Sequence, residues 1–237
     1  MADKTFHSMF PTTRRTRAAR RDELGETVVI GLGRFGSSLA RTLVDMGHEV
    51  LGVDADAELV DRHKEWLTHV VEADTTEERT LRQIGVADVH TAVVCIGSDV
   101  EASVLTAVAL VDIGVPKIWA KAITEQHAKI LERVGTHHVV RPEADMGARV
   151  AHMLSGSVLE YLALDEDFVI AEMGVPSNLA GVSLGDAGLR AAFRVTVVCI
   201  KPAGALFTYA ERNTVMGADD LIVVAGHRQD VERFANA

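Results

Sequence analysis

The sequence predicts an α/β protein with a doubly wound parallel sheet, followed by a smaller α+β domain. From Thr27 to about residue 141, short β-rich apolar runs alternate with amphipathic helical patterns, and the connections between them are brief. Beyond residue 157 the pattern changes to closely spaced strands and glycine turns. Strict alternation of strands and helices is typical of a parallel sheet covered by helices, whereas clustered strands are typical of an α+β domain.

The first strand and the turn after it carry the most informative motif. Residues 28–30 are apolar, and 31–36 read Gly-Leu-Gly-Arg-Phe-Gly. The first glycine permits a tight turn, the second lets a phosphate approach the backbone, and the third lets the helix pack closely on the strand. The start of that helix offers unpaired N–H groups to a phosphate. The motif predicts a Rossmann-type nucleotide site formed by Gly31, Leu32, Gly33, Arg34, Phe35 and Gly36.

The first helix leads to a second strand that ends on a carboxylate. An apolar face of Phe35, Leu39, Leu43 and Met46 is expected on this helix, which stops at Gly47. The second strand, 49–54, closes on Asp54, 18 residues beyond Gly36, near the spacing of about 20 expected for an acid that binds ribose hydroxyls. We therefore assign Asp54 and its neighbour Ala55 to the ribose. Because this carboxylate repels a 2′-phosphate, NAD, ATP and ADP are favoured over NADP.

The third strand, 67–72, precedes Asp74 and Thr75, after a helix that Asp56 is expected to cap. Ligands bind at the carboxyl ends of strands in open α/β sheets. Asp74 and Thr75 therefore bind an adenine edge or ribose, or alternatively Thr75 or Thr76 caps the helix that follows.

The fourth and fifth strands, 91–96 and 117–121, end in further polar groups at the same edge. Gly97 and Ser98 meet a phosphate, or form a plain turn before an N-cap at Asp99. Lys121 is a phosphate counter-ion or merely a polar strand end. Arg34 lies at the positive end of a helix dipole, which repels its charge. A bound phosphate would remove this repulsion, but an arginine exposed to solvent also tolerates it.

A helix at 124–134, a strand at 138–140 and a helix from Pro142 to about Leu154 complete this part of the chain. Glu143 has the ordinary chemistry of a helix start. A hinge-like Ser-Gly-Ser follows at 155–157. The second domain is expected to contain strands at 167–173, 195–201, 206–208 and 220–225, a short helix at 183–188 and a terminal helix after Gly226.

Composition excludes several classes of protein. Of 237 residues, 48% are apolar, enough for an ordinary core. The net charge of −10 argues against a nucleic-acid-binding body. No apolar stretch approaches membrane-spanning length and no secretory signal is present, so we expect a cytoplasmic protein. Cys95 and Cys199 lie in apolar runs and are expected to be buried thiols in a reducing compartment.

The first 26 residues differ from the rest. Between Lys4 and Arg21 there are six basic residues and no acidic one. Sparse apolar residues predict a mostly disordered tail. It is either a solvated extension or an arm that docks on acidic lipid headgroups or a membrane partner.

Catalytic motifs are missing from the sequence. It contains no P-loop, no serine nucleophile elbow and no H-E-x-x-H motif, and neither tyrosine has the lysine partner of short-chain dehydrogenases. The sequence thus predicts a binding site without catalytic residues. The alternative is an NAD(H)-dependent oxidoreductase or an NADH-sensing regulator.

Residues 27–235 resemble the regulator-of-potassium-conductance (RCK) family, specifically the KtrA-like cytosolic subunits of bacterial potassium uptake systems. The resemblance is carried by the stretches 29–36, 46–54, 73–78, 142–147 and 221–227. Of these, 142–147, Pro-Glu-Ala-Asp-Met-Gly, is the most specific, because generic dehydrogenases lack it. The resemblance implies a Rossmann domain at 27–141, a crossover helix and hinge at 142–157, and an RCK C-terminal domain at 158–237.

The resemblance also implies a function. Such subunits form dimers and then an octameric ring beneath a membrane-embedded potassium channel or transporter. They bind ATP or ADP, and in some members NAD or NADH. By this likeness Arg34 contacts the terminal phosphates, and Glu143 binds a divalent cation, Mg or Ca, near the phosphates at a dimer interface. Some relatives bind cyclic di-AMP between C-terminal lobes, for which Arg190, Arg194 and the Lys201-Pro202 turn are loose candidates.

Overall fold

The computed structural model of the protein describes residues 26–154, 158–165 and 167–237. It divides into two compact units, with the division between Pro142 and Glu143. The basic segment predicted between Lys4 and Arg21 and the hinge predicted at 155–157 lie outside the described residues.

The first unit alternates strands and helices. Its strands are β1 (Thr27–Ile30), β2 (Val50–Asp54), β3 (His69–Glu72), β4 (Thr91–Val94), β5 (Lys117–Lys121) and β6 (His138–Val140), and its helices are α1 (Arg34–Asp45), α2 (Ala57–His63), α3 (Glu78–Gln83), α4 (Val100–Ile113) and α5 (Glu125–Arg133). The strands form one parallel sheet in the order β3-β2-β1-β4-β5-β6. This order confirms the doubly wound prediction, and it reverses direction between β1 and β4, where such sheets bind ligands.

Strand β1 lies in the middle of the sheet and is buried on both faces. Val28 and Ile30 belong to one apolar cluster, whereas Val29 belongs to another, because successive side chains of a strand point to opposite faces. A strand covered on both sides needs an uninterrupted apolar sequence. The glycine turn is therefore attached to the most deeply buried strand.

Helix starts confirm two predicted caps and overturn a third. Asp56 and Asp99 each accept hydrogen bonds from backbone amides of the first turn they precede. Helix α3, by contrast, follows Glu77 without a side-chain cap. The Thr75 hydroxyl lies 2.9 Å from that of Thr106, and both residues are buried. The predicted threonine cap is wrong because that hydroxyl joins the loop to α4 instead.

Several boundaries differ from those predicted by a few residues, and two of these differences have a visible consequence or cause. Helix α1 ends at Asp45, so Met46 follows the amphipathic stripe and is 68% exposed rather than buried. Strand β3 begins at His69 instead of residue 67. The Leu67 amide donates to the His63 carbonyl at 2.9 Å, which closes the turn after α2 and delays the strand.

The second unit is a small α+β domain. Its elements are α6 (Pro142–Leu154, which begins at the division), β7 (Glu160–Ala163), β8 (Phe168–Gly174), α7 (Leu184–Ala187), α8 (Leu189–Ala192), β9 (Thr196–Lys201), β10 (Thr208–Tyr209), β11 (Leu221–His227) and α9 (Arg228–Ala235). The strands form one antiparallel sheet in the order β10-β9-β11-β8-β7. The predicted fold class is confirmed, although β7 and α8 were not predicted.

Side chains of helix α6 contact side chains of β7. The His152 ring stacks on Tyr161 with 4.1 Å between centroids, and Arg149 forms an ion pair with Glu160. No residue of α6, which is described throughout, is buried within the chain. In the described part of the protein, no helix combines the length and apolar character needed to cross a bilayer.

Candidate nucleotide-binding site

The turn after β1 depends on glycine at two positions. Gly31 has φ +94°, and a Cβ there would lie 3.0 Å from the carbonyl carbon of Cys95. A Cβ on Gly36 would lie 1.8 Å from the Gly31 carbonyl oxygen. The first glycine therefore allows the left-handed backbone, and the second allows α1 to start directly against the turn.

Gly33 leaves a space in front of α1. It is the N-cap residue, and no side chain in the described part of the chain caps this helix. Apart from Gly33 and its two chain neighbours, the described residues place no heavy atom within 4 Å of the position that a Cβ on Gly33 would occupy. The first turn of α1, described in full, contains no acidic residue. The clearance at Gly33 and the missing side-chain cap leave the positive dipole end of α1 in an environment that suits a phosphate.

The Asp54 carboxylate is fixed beside this turn. Its Oδ2 accepts a hydrogen bond from the Leu32 amide at 2.6 Å, and its Oδ1 accepts one from the Asp56 amide at 2.9 Å. Each carboxylate oxygen can accept a second hydrogen bond. The half-buried group is therefore oriented by the backbone and still able to accept ribose hydroxyls, with Ala55 exposed next to it.

On the other side of β1, a cation lies next to the glycine turn. The Lys121 Nζ is 5.7 Å from the centroid of the Phe35 ring and 3.3 Å from the position of a Cβ on Gly97. The ends of β1, β4 and β5 thus meet around this ammonium group. Ser98 is exposed, and the next residue caps α4. This position is compatible with both predicted roles of Lys121, a phosphate counter-ion and a polar strand end.

Asp74 and Thr75 follow β3, at the edge where the backbones of the β2 and β3 ends join through the Ala73 amide and the Asp54 carbonyl at 3.0 Å. Asp74 is exposed, and hydrogen bonds from the hydroxyl and amide of Thr76 hold its pKa below the ordinary value. The buried Thr75 hydroxyl faces Thr106. Only the backbone of Thr75 therefore remains for a ligand.

Two features near the glycine turn, the Cys95 thiol and the bond between Ser37 and His63, correspond to no sequence motif. The Cys95 thiol is buried beside Gly36, and burial raises its pKa to about 12 despite the neighbouring Lys121. Ser37 bonds to the buried His63 of α2. Contacts between residues so far apart in sequence arise from the tertiary fold, so spacing alone cannot predict them.

The remaining candidates lie in the second unit. Glu143 is exposed in the first turn of α6. Among the described residues, no group of three or more His, Cys, Asp and Glu side chains could hold a metal ion. Any cation at Glu143 would therefore need ligands from elsewhere.

The loose candidates for cyclic di-AMP are spread along β9. Arg190 donates to the Thr196 hydroxyl at the start of that strand at 3.0 Å, and Arg194 lies 3.5 Å from Asp230. Lys201 is at the other end of β9, 5.5 Å from the Phe207 ring. At about 3.3 Å per residue, the strand separates its ends by roughly 16 Å. One copy of the chain does not bring these groups together.

Comparisons with known proteins give the family. Residues 27–142 match the family model of the TrkA-N domain. The chain is 37% identical over 209 residues to the Ktr system potassium uptake protein A of Bacillus subtilis, covering 88% of this chain and 94% of that protein. It is 36% identical to protein C of the same bacterium, covering 88% and 95%, and 34% identical to protein A of Vibrio alginolyticus, covering 84% and 90%.

Solved structures agree on the fold. The structure described as the GsuK channel bound to NAD aligns with a TM-score of 0.63 at 19% identity, over 89% of this chain. The alignment spans only 38% of the GsuK chain. At this identity the likeness concerns the fold alone.

Proposed function

This chain belongs to the family of the Ktr system potassium uptake proteins A and C, the KtrA-like RCK regulatory subunits, and we propose that it controls a membrane-embedded potassium channel or transporter by binding a nucleotide. One observation carries the proposal. The first turn of α1 follows Gly33 without a side-chain cap in the described part of the chain. The Asp54 carboxylate accepts from the Leu32 amide just before that turn, and Lys121 Nζ lies 5.7 Å from the Phe35 ring within it. Anion, sugar and counter-ion sites thus meet at one edge of the sheet.

The ligand is ATP or ADP, with NAD or NADH as further candidates. The phosphates lie against the amides of Gly33, Arg34 and Phe35, and the Arg34 and Lys121 side chains neutralise them. The ribose hydroxyls bond to Asp54. The additional charge of ATP over ADP is matched by the exposed Arg34 guanidinium, which makes this side chain the sensor of the terminal phosphate.

At a dimer interface, as the family resemblance implies, Glu143 contributes one carboxylate to a divalent cation, Mg or Ca, near the phosphates. Because no described cluster of acids supplies a complete site, phosphate oxygens and water fill the remaining positions. Mg is ordinarily held in this way, by one or two carboxylates together with substrate phosphates.

The protein acts as a homodimer that assembles into an octameric ring on the cytoplasmic side of the membrane. Residues 27–141 bind the nucleotide, 142–157 cross over to the second lobe, and 158–237 form that lobe. To regulate the ring, the ligand must bind one arrangement of copies better than another. Typical couplings are about 1–3 kcal/mol, or roughly 5- to 150-fold in affinity.

A titration of the purified protein with ATP, ADP, NADH and cyclic di-AMP, each with a measurement of particle mass, tests this proposal. We expect binding of adenine nucleotides in the micromolar range or tighter and a ligand-dependent octamer. The proposal would be contradicted if no adenine nucleotide bound and none changed the particle mass.

An NAD(H)-dependent oxidoreductase is the second candidate, since Asp54 suits the free 2′-hydroxyl of NAD. The family relatives are named as potassium uptake proteins, which favours regulation. Incubation with NADH and a panel of carbonyl compounds separates the two: binding without turnover is the result expected of a regulator, and turnover that of an enzyme.

A further inference from the structure

Helix α2 is joined to α1 by a hydrogen bond between His63 and Ser37. His63 Nδ1 lies 2.6 Å from the Leu59 carbonyl oxygen, and its Nε2 lies 2.8 Å from the Ser37 hydroxyl. A carbonyl can only accept, so a proton lies on Nδ1, and a singly protonated ring leaves Nε2 as an acceptor. Nε2 then accepts from Ser37. His63 is only 6% exposed, so water does not compete for this bond.

Ser37 leads directly to the phosphate end of the candidate site. Its amide donates to the Gly33 carbonyl at 2.8 Å and closes the first turn of α1. The side chain that bonds to α2 and the backbone that shapes the phosphate turn therefore belong to one residue. A second tie lies one turn further along, where the Arg41 guanidinium covers the Trp66 ring at 4.2 Å.

The other end of α2 leads to the ribose end of the site. Asp56 caps α2 with its side chain, and its amide donates to Asp54 Oδ1 at 2.9 Å. Asp54 Oδ2 accepts from the Leu32 amide in the glycine turn. One short helix thus contacts the ribose carboxylate at its start and the phosphate helix at its end.

We propose that His63 is a positioning residue for nucleotide binding: through Ser37 it holds the amides of α1 at the distance from Asp54 that a ribose diphosphate spans. The inference rests on the proposed function. It explains why a histidine is buried with both ring nitrogens bonded in a helix that contributes no atom to the ligand.

The test compares ligands that reach one end of the site or both. Adenosine has only the ribose end, whereas ADP bridges Asp54 and the α1 amides. Ser37→Ala removes the donor to His63, and a neutral hydrogen bond corresponds to about a 3- to 10-fold change in affinity. We expect Ser37→Ala to weaken ADP by that factor, to leave adenosine within twofold, and Ser37→Thr, which keeps the hydroxyl, to restore ADP binding.

The control is Thr42→Ala, which removes another hydroxyl of α1, one that donates to the carbonyl of the exposed Ser38 within the same helix at 2.9 Å. It should change neither ligand. A double variant, Ser37→Ala with His63→Phe, should bind ADP no more weakly than whichever single variant binds it less tightly, since the two residues act through one bond. Nitrogen NMR should find the proton of His63 on Nδ1 in the wild type and a redistributed tautomer in Ser37→Ala.

Several outcomes would overturn the inference. Equal losses for ADP and adenosine would mean that Ser37 only stabilises the fold, and unchanged ADP binding would mean that the contact is irrelevant to the ligand. A proton found on Nε2 would remove the premise about its direction. If wild-type protein bound neither ligand, the proposed function would fail as well, a result distinct from normal wild-type binding with an unaffected Ser37→Ala.

Discussion

Two glycines of the same turn are expected to fail in different ways when replaced by alanine. In Gly36→Ala the new methyl would lie 1.8 Å from the Gly31 carbonyl oxygen, so backbone must move by about 1.2 Å to reach even 3.0 Å. Overpacking of this kind costs about 1–3 kcal/mol. For a protein of this size, we expect the melting temperature to fall by roughly 2–12 °C.

In Gly33→Ala the methyl enters empty space, and the backbone at φ −64°, ψ −170° is one that alanine adopts without strain. The loss of stability is therefore expected to stay below about 1 kcal/mol, the scale of an N-cap change. The same methyl occupies the place of the phosphate, so ADP affinity should fall at least about tenfold.

Differential scanning calorimetry and ADP titration of both variants check this separation. The reasoning is refuted if the two variants melt at the same temperature, because the difference in clearance predicts different stabilities. It is also refuted if Gly33→Ala binds ADP as tightly as the wild type, because the phosphate then lies elsewhere.

Three further changes test other parts of the site. Arg34→Ala should weaken ATP more than ADP in calorimetric titrations, and equal losses would remove the role of Arg34 at the terminal phosphate. Glu143→Gln should abolish the increase in melting temperature that Mg or Ca gives the ATP-bound protein; an unchanged increase would place the cation elsewhere. Burial raises the pKa of the Cys95 thiol to about 12 from about 8.5 in an unfolded chain, so the unfolded state loses this proton first. Its contribution to stability is constant below pH ~8.5 and declines up to about pH 12. Cys95→Ala should flatten that part of the denaturant-measured pH profile, and identical profiles would contradict the burial.

The sequence was sufficient for the parts of the site that local geometry dictates. Gly31 and Gly36 are required by a left-handed turn and a backbone contact, and glycine is the residue that both conditions select. The end of β2 lies next to β1 in the sheet, so a ribose carboxylate was expected there. These constraints act within one βαβ segment, so a short sequence motif is enough to predict them.

Features that depend on distant partners were not predictable in this way. Thr75 is of a residue type that often caps helices, yet its hydroxyl faces Thr106, 31 residues away. Packing here overrides the local preference. Strand β7 was missed because of its four residues only Tyr161 is buried, so its sequence lacks the regular alternation of a half-buried strand. The pairing of Ser37 with His63 belongs to the same class.

The distribution of charge around α1 explains why such a site can report on phosphate number rather than merely bind adenosine. Most of the helices in the described part of the chain place an acid in the first turn, as α2 and α4 do with Glu58 and Glu101. Helix α1 instead begins with Arg34, without an acid in its fully described first turn, and Lys121 lies next to Phe35. A helix dipole, a guanidinium and an ammonium so placed favour an anion near all three. On the proposed function, each added phosphate charge gains more from them, so we expect ATP and ADP to stabilise the loop to different extents and a ring of copies to respond to that difference.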